Sequence, residues 1–329
     1  MKEILTHLFE YKSFTRAEAY TILTNIATGK YESHQIAAFM TTFGMRSIRV
    51  EELGGFRDAM YDLCLKLDFD GYDLIDMCGT GGDGKNTFNI STLSSFVVAG
   101  AGYHVAKHGN VGVSSGCGSS NVMEYLGYTF TNDKGVLNKQ LDEANICFLH
   151  APLFHPAMKT VAPIRKALGV KTFFNMLGPL TNPTNPKFQS VGVFSLELAR
   201  LYGYLYQKSA KQYTIIHGLD GYDEISLTGD FKIINNTGEH YYQVSELGFD
   251  KVSAQELEGG ETVEDAAKIF TSIINTEGTD VQNNVVLTNA AFGIQTFHPE
   301  KSFADCYYEA EESLMGKKAL NSFQKLVNG

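Results

Sequence analysis

No carboxylate occurs between Asp83 and Glu124, although the 329-residue chain carries 37 Asp and Glu against 27 Lys and Arg, a formal net charge of −10. In so acidic a chain, a stretch that excludes acids points to an anionic ligand. Basic residues are otherwise too few to form the broad face used by general nucleic-acid or membrane-surface binders. Cysteine is sparse as well: Cys64, Cys78, Cys117, Cys147 and Cys306 include no C-x-x-C pair, and their odd number suits unpaired thiols in a reducing compartment. No apolar run approaches the about 18 residues of a membrane span. Met1-Lys2-Glu3-Ile4-Leu5 does not read as the opening of a secretory signal, so a cytoplasmic protein is expected. There is no internal repeat and no low-complexity segment. With 43% hydrophobic residues the chain can bury a large core, as one large or two unequal domains.

What is present is concentrated between Asp73 and Asn121. An apolar run, Leu74-Ile75-Asp76-Met77-Cys78, breaks into Gly79-Thr80-Gly81-Gly82-Asp83-Gly84-Lys85-Asn86-Thr87, then continues through Asn89-Ile90-Ser91-Thr92 into an apolar segment over 93–101. This order predicts a strand, a glycine-rich loop and a helix start. Free backbone N–H groups in such a loop, together with the positive end of the helix, make an anion site. A second short strand leads into another glycine- and serine-rich run, Lys107-His108-Gly109-Asn110-Val111-Gly112-Val113-Ser114-Ser115-Gly116-Cys117-Gly118-Ser119.

Spacing separates three phosphate-binding readings. Gly79-x-Gly81-x-x-Gly84 fits the dinucleotide fingerprint, which also needs an acid about 20 residues on to hold a ribose hydroxyl. The acid-free stretch opposes it. Gly79-x-x-x-x-Gly84-Lys85 approaches the nucleotide-triphosphate loop, but Asn86 stands where that motif places a magnesium-binding Ser or Thr. The third reading uses both runs as two loops around a ligand with phosphates at both ends. Ordinary turn chemistry is the competing explanation for either run alone.

Elsewhere, residues 1–70 read as helices. Thr15-x-x-Glu18 forms a capping box, Ser33 is placed to cap the next helix, and a further helical run covers 50–67. From Asp73 short apolar runs alternate with helices, the pattern of an α/β domain with a largely parallel sheet. The expected strands are 74–78, 104–106, 146–149, 190–194 and 213–217, followed by short antiparallel additions at 224–228, 231–234 and 240–243. Helices are expected at 263–274, 281–292 and 303–314.

The motifs Gly79-Thr80-Gly81-Gly82-Asp83, Asn89-Ile90-Ser91-Thr92 and Lys107-His108-Gly109-Asn110 resemble the signature loops of the anthranilate phosphoribosyltransferase family. The resemblance extends to His155-Pro156-Ala157-Met158-Lys159, Pro163-Ile164-Arg165, Asn175-Met176-Leu177-Gly178-Pro179-Leu180-Thr181-Asn182-Pro183, Asp220-Gly221-Tyr222-Asp223-Glu224 and Asn289-Ala290-Ala291. It implies a small all-helical N-terminal domain, residues 1–70 with a crossover contribution from about 165–185, and a catalytic α/β domain over 71–329 with a mostly parallel central sheet. This is the nucleoside phosphorylase and phosphoribosyltransferase type of fold, commonly a homodimer through the helical domain. The implied reaction transfers the phosphoribosyl group of 5-phosphoribosyl 1-pyrophosphate to the amine of anthranilate, a step of tryptophan biosynthesis.

The same resemblance assigns residues. Phosphoribosyl pyrophosphate would meet Gly79, Gly82, Asp83, Thr87, Asn89, Ile90, Ser91, Thr92, Lys107, His108, Gly109, Asn110, Val111, Gly112, Val113, Ser114, Ser115 and Ser119. Anthranilate would meet Gly79, Asn110 and Arg165, the last able to form two parallel hydrogen bonds with its carboxylate. Two Mg2+ ions per subunit would be held with Ser91, Asp223 and Glu224. From the residues alone, Asp223-Glu224 reads equally as a metal pair or a solvated acidic turn. His108 and His155 are possible polar contacts, but a neutral aromatic amine can attack before losing its proton, so no acid or base is assigned. Two family cations are replaced, one by Val111 and one within Gly116-Cys117. A pyrimidine nucleoside phosphorylase and a non-catalytic phosphate- or nucleic-acid-binding paralogue are the alternatives.

Overall fold

The computed structural model describes residues 1–112 and 117–329. The chain divides into two compact units, Met1–Asp68 with Ala151–Asn185, and Phe69–His150 with Pro186–Gly329.

The first unit is helical, with Lys2–Phe9, Arg16–Ala27, Ser33–Met45 and Val50–Asp62 joined by Met158–Leu168 and short turns of helix. Thr15 and Glu18 close the expected capping box on Arg16–Ala27. Glu32 rather than Ser33 is the next cap; its N–H is taken by the Gln35 side chain, 3.3 Å away, so Ser33 becomes the first helical residue. Phe39, Phe43, Phe56 and Phe173 meet edge-on or stacked at 4.6–6.1 Å between ring centroids and form the middle of the core. The run expected to be helical to 67 stops at Asp62 because the following backbone bonds elsewhere. Leu65 N–H donates to Phe154 O at 2.8 Å and Leu67 N–H to Pro183 O at 3.1 Å. Those bonds tie in a returning segment that begins at Ala151, earlier than the expected 165.

The second unit is built on a seven-stranded sheet. Its strands are β1 Leu74–Gly79, β2 His104–Gly109, β3 Ile146–His150, β4 Phe188–Gly192, β5 Gln212–Gly218, β6 Phe231–Asn235 and β7 Gly238–Tyr242, in the spatial order β3-β2-β1-β4-β5-β6-β7. The first five are parallel and the last two antiparallel. Strand β4 ends two residues before the expected 194, although Val193 stays buried with its N–H on Ile216 O, 2.9 Å away. Residues 224–228 are not a strand. Ile225 and Leu227 are buried as the pattern required, but the Asn289 side chain takes the backbone of Ile225, and Leu227 turns to φ +61°. The helices Val263–Ile274, Asp280–Phe297 and Phe303–Met315 lie where expected, the middle one longer at both ends.

After β1 the chain winds outward through β2 and β3, then returns to place β4 on the other side of β1. Crevices outside the carboxyl ends of parallel strands at such a reversal are where α/β proteins hold ligands. Here that point lies between Gly79 and Gly192, which are paired in the β1–β4 register.

Candidate functional site

Strand β1 runs directly into the first glycine-rich loop. Gly81, Gly82 and Gly84 adopt φ of +62°, +79° and +77°, a region side chains disfavour, so the loop's sharp path depends on glycine. The loop then leads into the helix Ile90–Gly100, whose N-cap Asn89 makes no side-chain cap bond. First-turn N–H groups are thereby left for another acceptor. The far side of the loop is anchored on residues 257–259: Phe88 N–H donates to Leu257 O at 2.9 Å and Gly259 N–H to Asn86 O at 2.8 Å. Thr87 lies in this anchor, in a bridge with Glu258.

The acceptors are the acidic pair. Asp223 Oδ2 receives Gly81 N–H at 2.7 Å, and Glu224 Oε1 receives Ser91 N–H at 3.0 Å. Two protein carboxylates therefore occupy the backbone donors that the sequence pattern assigns to a phosphate. They come close because two glycines let them. A Cβ on Gly79 would stand 2.4 Å from Asp223 Oδ2, and one on Gly192 would stand 1.4 Å from Asp223 O. Asn289, on the helix Asp280–Phe297, clamps the next residue by accepting from Ile225 N at 3.1 Å and donating to Ile225 O at 2.8 Å. A small, partly open pocket here is lined by Gly79, Ser91, Ser190, Gly192, Asp223 and Glu224 among others.

Burial pushes the Asp223 carboxyl up to about 7, aided by the nearby charge of Asp83, while the Gly81 N–H works in the opposite direction. Glu224 is raised well above the ordinary range, by burial first and then by the charges of Asp223 and Asp83. The Lys107 charge works the other way on Glu224. Lys107 is almost wholly buried on β2, and burial pulls its ammonium down; its Nζ donates to Met77 O at 2.6 Å and reaches Ser91 Oγ at 3.3 Å.

The second loop begins where β2 ends. Asn110 Oδ1 accepts from Val111 N at 2.8 Å, and Asn121 Oδ1 accepts from both Gly112 N and Gly118 N at 3.0 Å. Ser119 Oγ donates to Asn110 O at 3.4 Å, and Asn89 Nδ2 joins the two loops through Cys117 O at the same distance. Val113, Ser114 and Ser115 lie outside the described residues, as does Gly116. His108 is buried and Val111 exposed. Ile90 and Thr92 are buried, so Ile90 serves the core rather than offering its side chain to a ligand.

Arg165 and His155 belong to the helical unit. Arg165, on Met158–Leu168, donates to Asn175 Oδ1 at 3.2 Å and lies 5.7 Å from the Phe174 ring centroid; burial lowers its pKa. An arginine so placed is not a plain surface residue. His155 is buried.

Three contributors were not singled out from the sequence as site residues. Gly192 carried no motif, and Asp76 looked like one polar residue in an apolar strand. Lys85, whose Nζ lies 4.5 Å from the Tyr222 ring centroid, belongs in the sequence only to the nucleotide-triphosphate pattern. The proximity of Lys85 to the Asp220-Gly221-Tyr222-Asp223-Glu224 motif is a folded-state fact, with no signal in spacing. All five cysteines are unpaired, and no helix among the described residues is long and apolar enough to cross a membrane.

The raised carboxyl of Asp223 has a measurable consequence. Its ordinary value is 3.8, so between there and about 7 the folded chain holds a proton that the unfolded chain has lost. Stability contributed by this group falls as pH rises through that window and stays low above it. In metal-free buffer, Asp223→Asn removes that loss, and its melting temperature relative to wild type should rise between pH 5 and pH 8. A pH-independent difference would contradict the burial argument.

Known proteins share both halves of this architecture. The family model described as the glycosyl transferase family helical bundle domain matches residues 2–64, and that described as the glycosyl transferase family a/b domain matches residues 71–320. The anthranilate phosphoribosyltransferase of Christiangramia forsetii is 57% identical, across 99% of this chain and 98% of its own. Among solved structures, the enzyme of the same name from Thermus thermophilus superposes with a TM-score of 0.91 at 29% identity, covering 99% of this chain and 98% of its own. The Saccharomyces cerevisiae enzyme in complex with PRPP and Mg shares the fold, with a TM-score of 0.90 at 23% identity over 99% of this chain and 96% of its own. With both domain models matched and more than half its residues identical to a full-length relative, this chain belongs to the anthranilate phosphoribosyltransferase family.

Proposed function

We propose that the chain transfers the phosphoribosyl group of 5-phosphoribosyl 1-pyrophosphate to the amine of anthranilate, releasing pyrophosphate, as in tryptophan biosynthesis. The observation that carries this reading is the acidic pair held on the donors of the phosphate loop. A bond forms between the amine nitrogen and the anomeric carbon while the bond from that carbon to the pyrophosphate oxygen breaks. The nitrogen then loses its proton. Negative charge grows on the leaving group, and fixed donors aimed at it are the main source of acceleration in such reactions.

Magnesium fits the donor set. Asp223, Glu224 and Ser91 offer hard oxygens, and both carboxyls are raised by burial first and then by the neighbouring acids. Among the described residues no three His, Cys, Asp or Glu side chains form a metal cage of their own. Magnesium commonly uses one or two carboxylates and completes its shell with waters and substrate phosphates. Bound there, it would neutralise the departing pyrophosphate. The yeast relative was solved in complex with PRPP and Mg. We take two ions per subunit as the working number.

The remaining roles belong to the chain itself. The N–H groups of Gly81 and Ser91, now given to Asp223 and Glu224, would be free for pyrophosphate if those carboxylates held a metal. Lys107, Asn110 and the backbone around Gly112 and Ser119 supply the second loop's donors, in place of the cations absent at Val111 and Gly116-Cys117. Arg165, braced by Asn175 and lowered in pKa by burial, takes the anthranilate carboxylate; Gly79 and Asn110 are the other anthranilate contacts that the family resemblance assigns. Neither His108 nor His155 is needed as a strong base. We further propose a cytoplasmic homodimer. Unpaired thiols support the compartment, and the helical unit leaves Phe9, Tyr11 and Met45 largely exposed for subunit contact.

The test is an assay of the purified protein with phosphoribosyl pyrophosphate, Mg2+ and a panel of anthranilate, aniline, uracil and thymine. Anthranilate alone should be consumed; turnover of a nucleobase without anthranilate would overturn the reading in favour of nucleoside chemistry. In the same assay Arg165→Ala should lower kcat/KM for anthranilate by roughly ten- to a hundred-fold, the worth of a hydrogen bond to a charged group. The KM for phosphoribosyl pyrophosphate should hold. An unchanged anthranilate kcat/KM would remove Arg165 from the anthranilate contacts.

A further inference from the structure

The ladder between β1 and β2 is incomplete. The two strands pair at Leu74 with His104 and at Ile75 with Val105, and no further. Beyond that point β1 stays paired to β4 as far as Gly79, and β2 stays paired to β3 as far as Gly109. The sheet therefore splits just before the two strands release the two glycine-rich loops. Parallel strands ordinarily bond evenly along their length, so a split leaves backbone groups that need other partners.

Two buried charged side chains supply them from opposite sides. Asp76 on β1, with no exposed surface, accepts the backbone N–H of His108 on β2 through Oδ1 at 3.0 Å. Lys107 on β2, 1% exposed, donates from Nζ to the carbonyl of Met77 on β1 at 2.6 Å. Asp76 Oδ2 is in turn held by Gln189 Nε2 of β4 at 3.3 Å and by Cys78 Sγ at 3.4 Å. A carboxylate and an ammonium thus replace backbone pairing at the split, and charge-assisted bonds of this kind are stronger and more directional than neutral ones.

We propose that Asp76 is a positioning residue for the pyrophosphate substrate: by bridging the split to His108 and facing Lys107, it sets the spread between the two loops. The inference rests on the reading of those loops as the phosphoribosyl pyrophosphate site. A buried acid with a structural role only would lower stability when removed and leave ligand recognition even-handed. A positioning role weakens one substrate selectively.

The experiment measures phosphoribosyl pyrophosphate affinity by calorimetry with Mg2+, anthranilate KM and melting temperature for four variants. Asp76→Ala should weaken phosphoribosyl pyrophosphate binding by about ten-fold, the scale of one charge-assisted hydrogen bond. Its anthranilate KM should move less than about two-fold. Asp76→Asn keeps an oxygen for the His108 N–H, folds more readily if the alanine variant does not, and should recover part of the lost affinity. Ile75→Ala, a core truncation one residue away, serves as the stability control and should lower the melting temperature without the selective loss. Binding by both Asp76 variants that matches wild type, or an equal loss in Ile75→Ala, overturns the proposal. Lys107→Met separates the two claims. If it binds phosphoribosyl pyrophosphate normally, the two-loop reading fails; if it binds poorly while the Asp76 variants bind normally, only the role of Asp76 fails.

Discussion

The bonds from Gly81 N–H to Asp223 and from Ser91 N–H to Glu224 are the constraint around which the α/β unit is arranged. They set two acidic side chains on backbone donors of the kind that suit an anion, and do so away from bulk water, where burial raises both carboxyls because the ionised form is costly to keep. Under the proposed function, Asp223, Glu224 and Ser91 would hold magnesium, which would free the Gly81 and Ser91 donors for the substrate and so link metal binding to pyrophosphate binding.

Much of the surrounding fold serves that arrangement. The reversal of strand order opens a crevice between β1 and β4, and glycine at positions 79 and 192 allows the acidic segment to lie across it. Asn289 holds the backbone after Glu224 from a helix 64 residues further on, fixing the pair without using a strand. On the other side, the split between β1 and β2 spreads the strand ends that carry the two loops. Each feature trades regular pairing for placement of a polar group, a common feature of functional sites.

Local chemistry made part of this legible in advance. Glycines at 79, 81, 82 and 84 before a helix start marked a sharp loop between a strand and a helix, and the structure turns it through left-handed glycines at 81, 82 and 84. The capping box at Thr15 and the helices near the C-terminus followed from spacing. What escaped depended on contacts between distant segments. Residues 224–228 alternate like a strand, but Asn289 claims their backbone. The helical unit's return begins at Ala151, directly after β3, and its bonds to Leu65 and Leu67 exist only in the fold. Asp76 gains its meaning from His108 and Gln189, which only the folded sheet brings within reach.

The most direct measurement is the affinity of phosphoribosyl pyrophosphate, by calorimetry, for wild type and for the double variant Asp223→Asn with Glu224→Gln, each in excess chelator and in excess Mg2+. If the acids occupy the cradle until metal draws them off, wild type binds far more weakly in chelator than in Mg2+. The double variant, whose amides are poor ligands for a hard dication, then gains little from Mg2+. Equal wild-type affinity under both conditions would contradict the account.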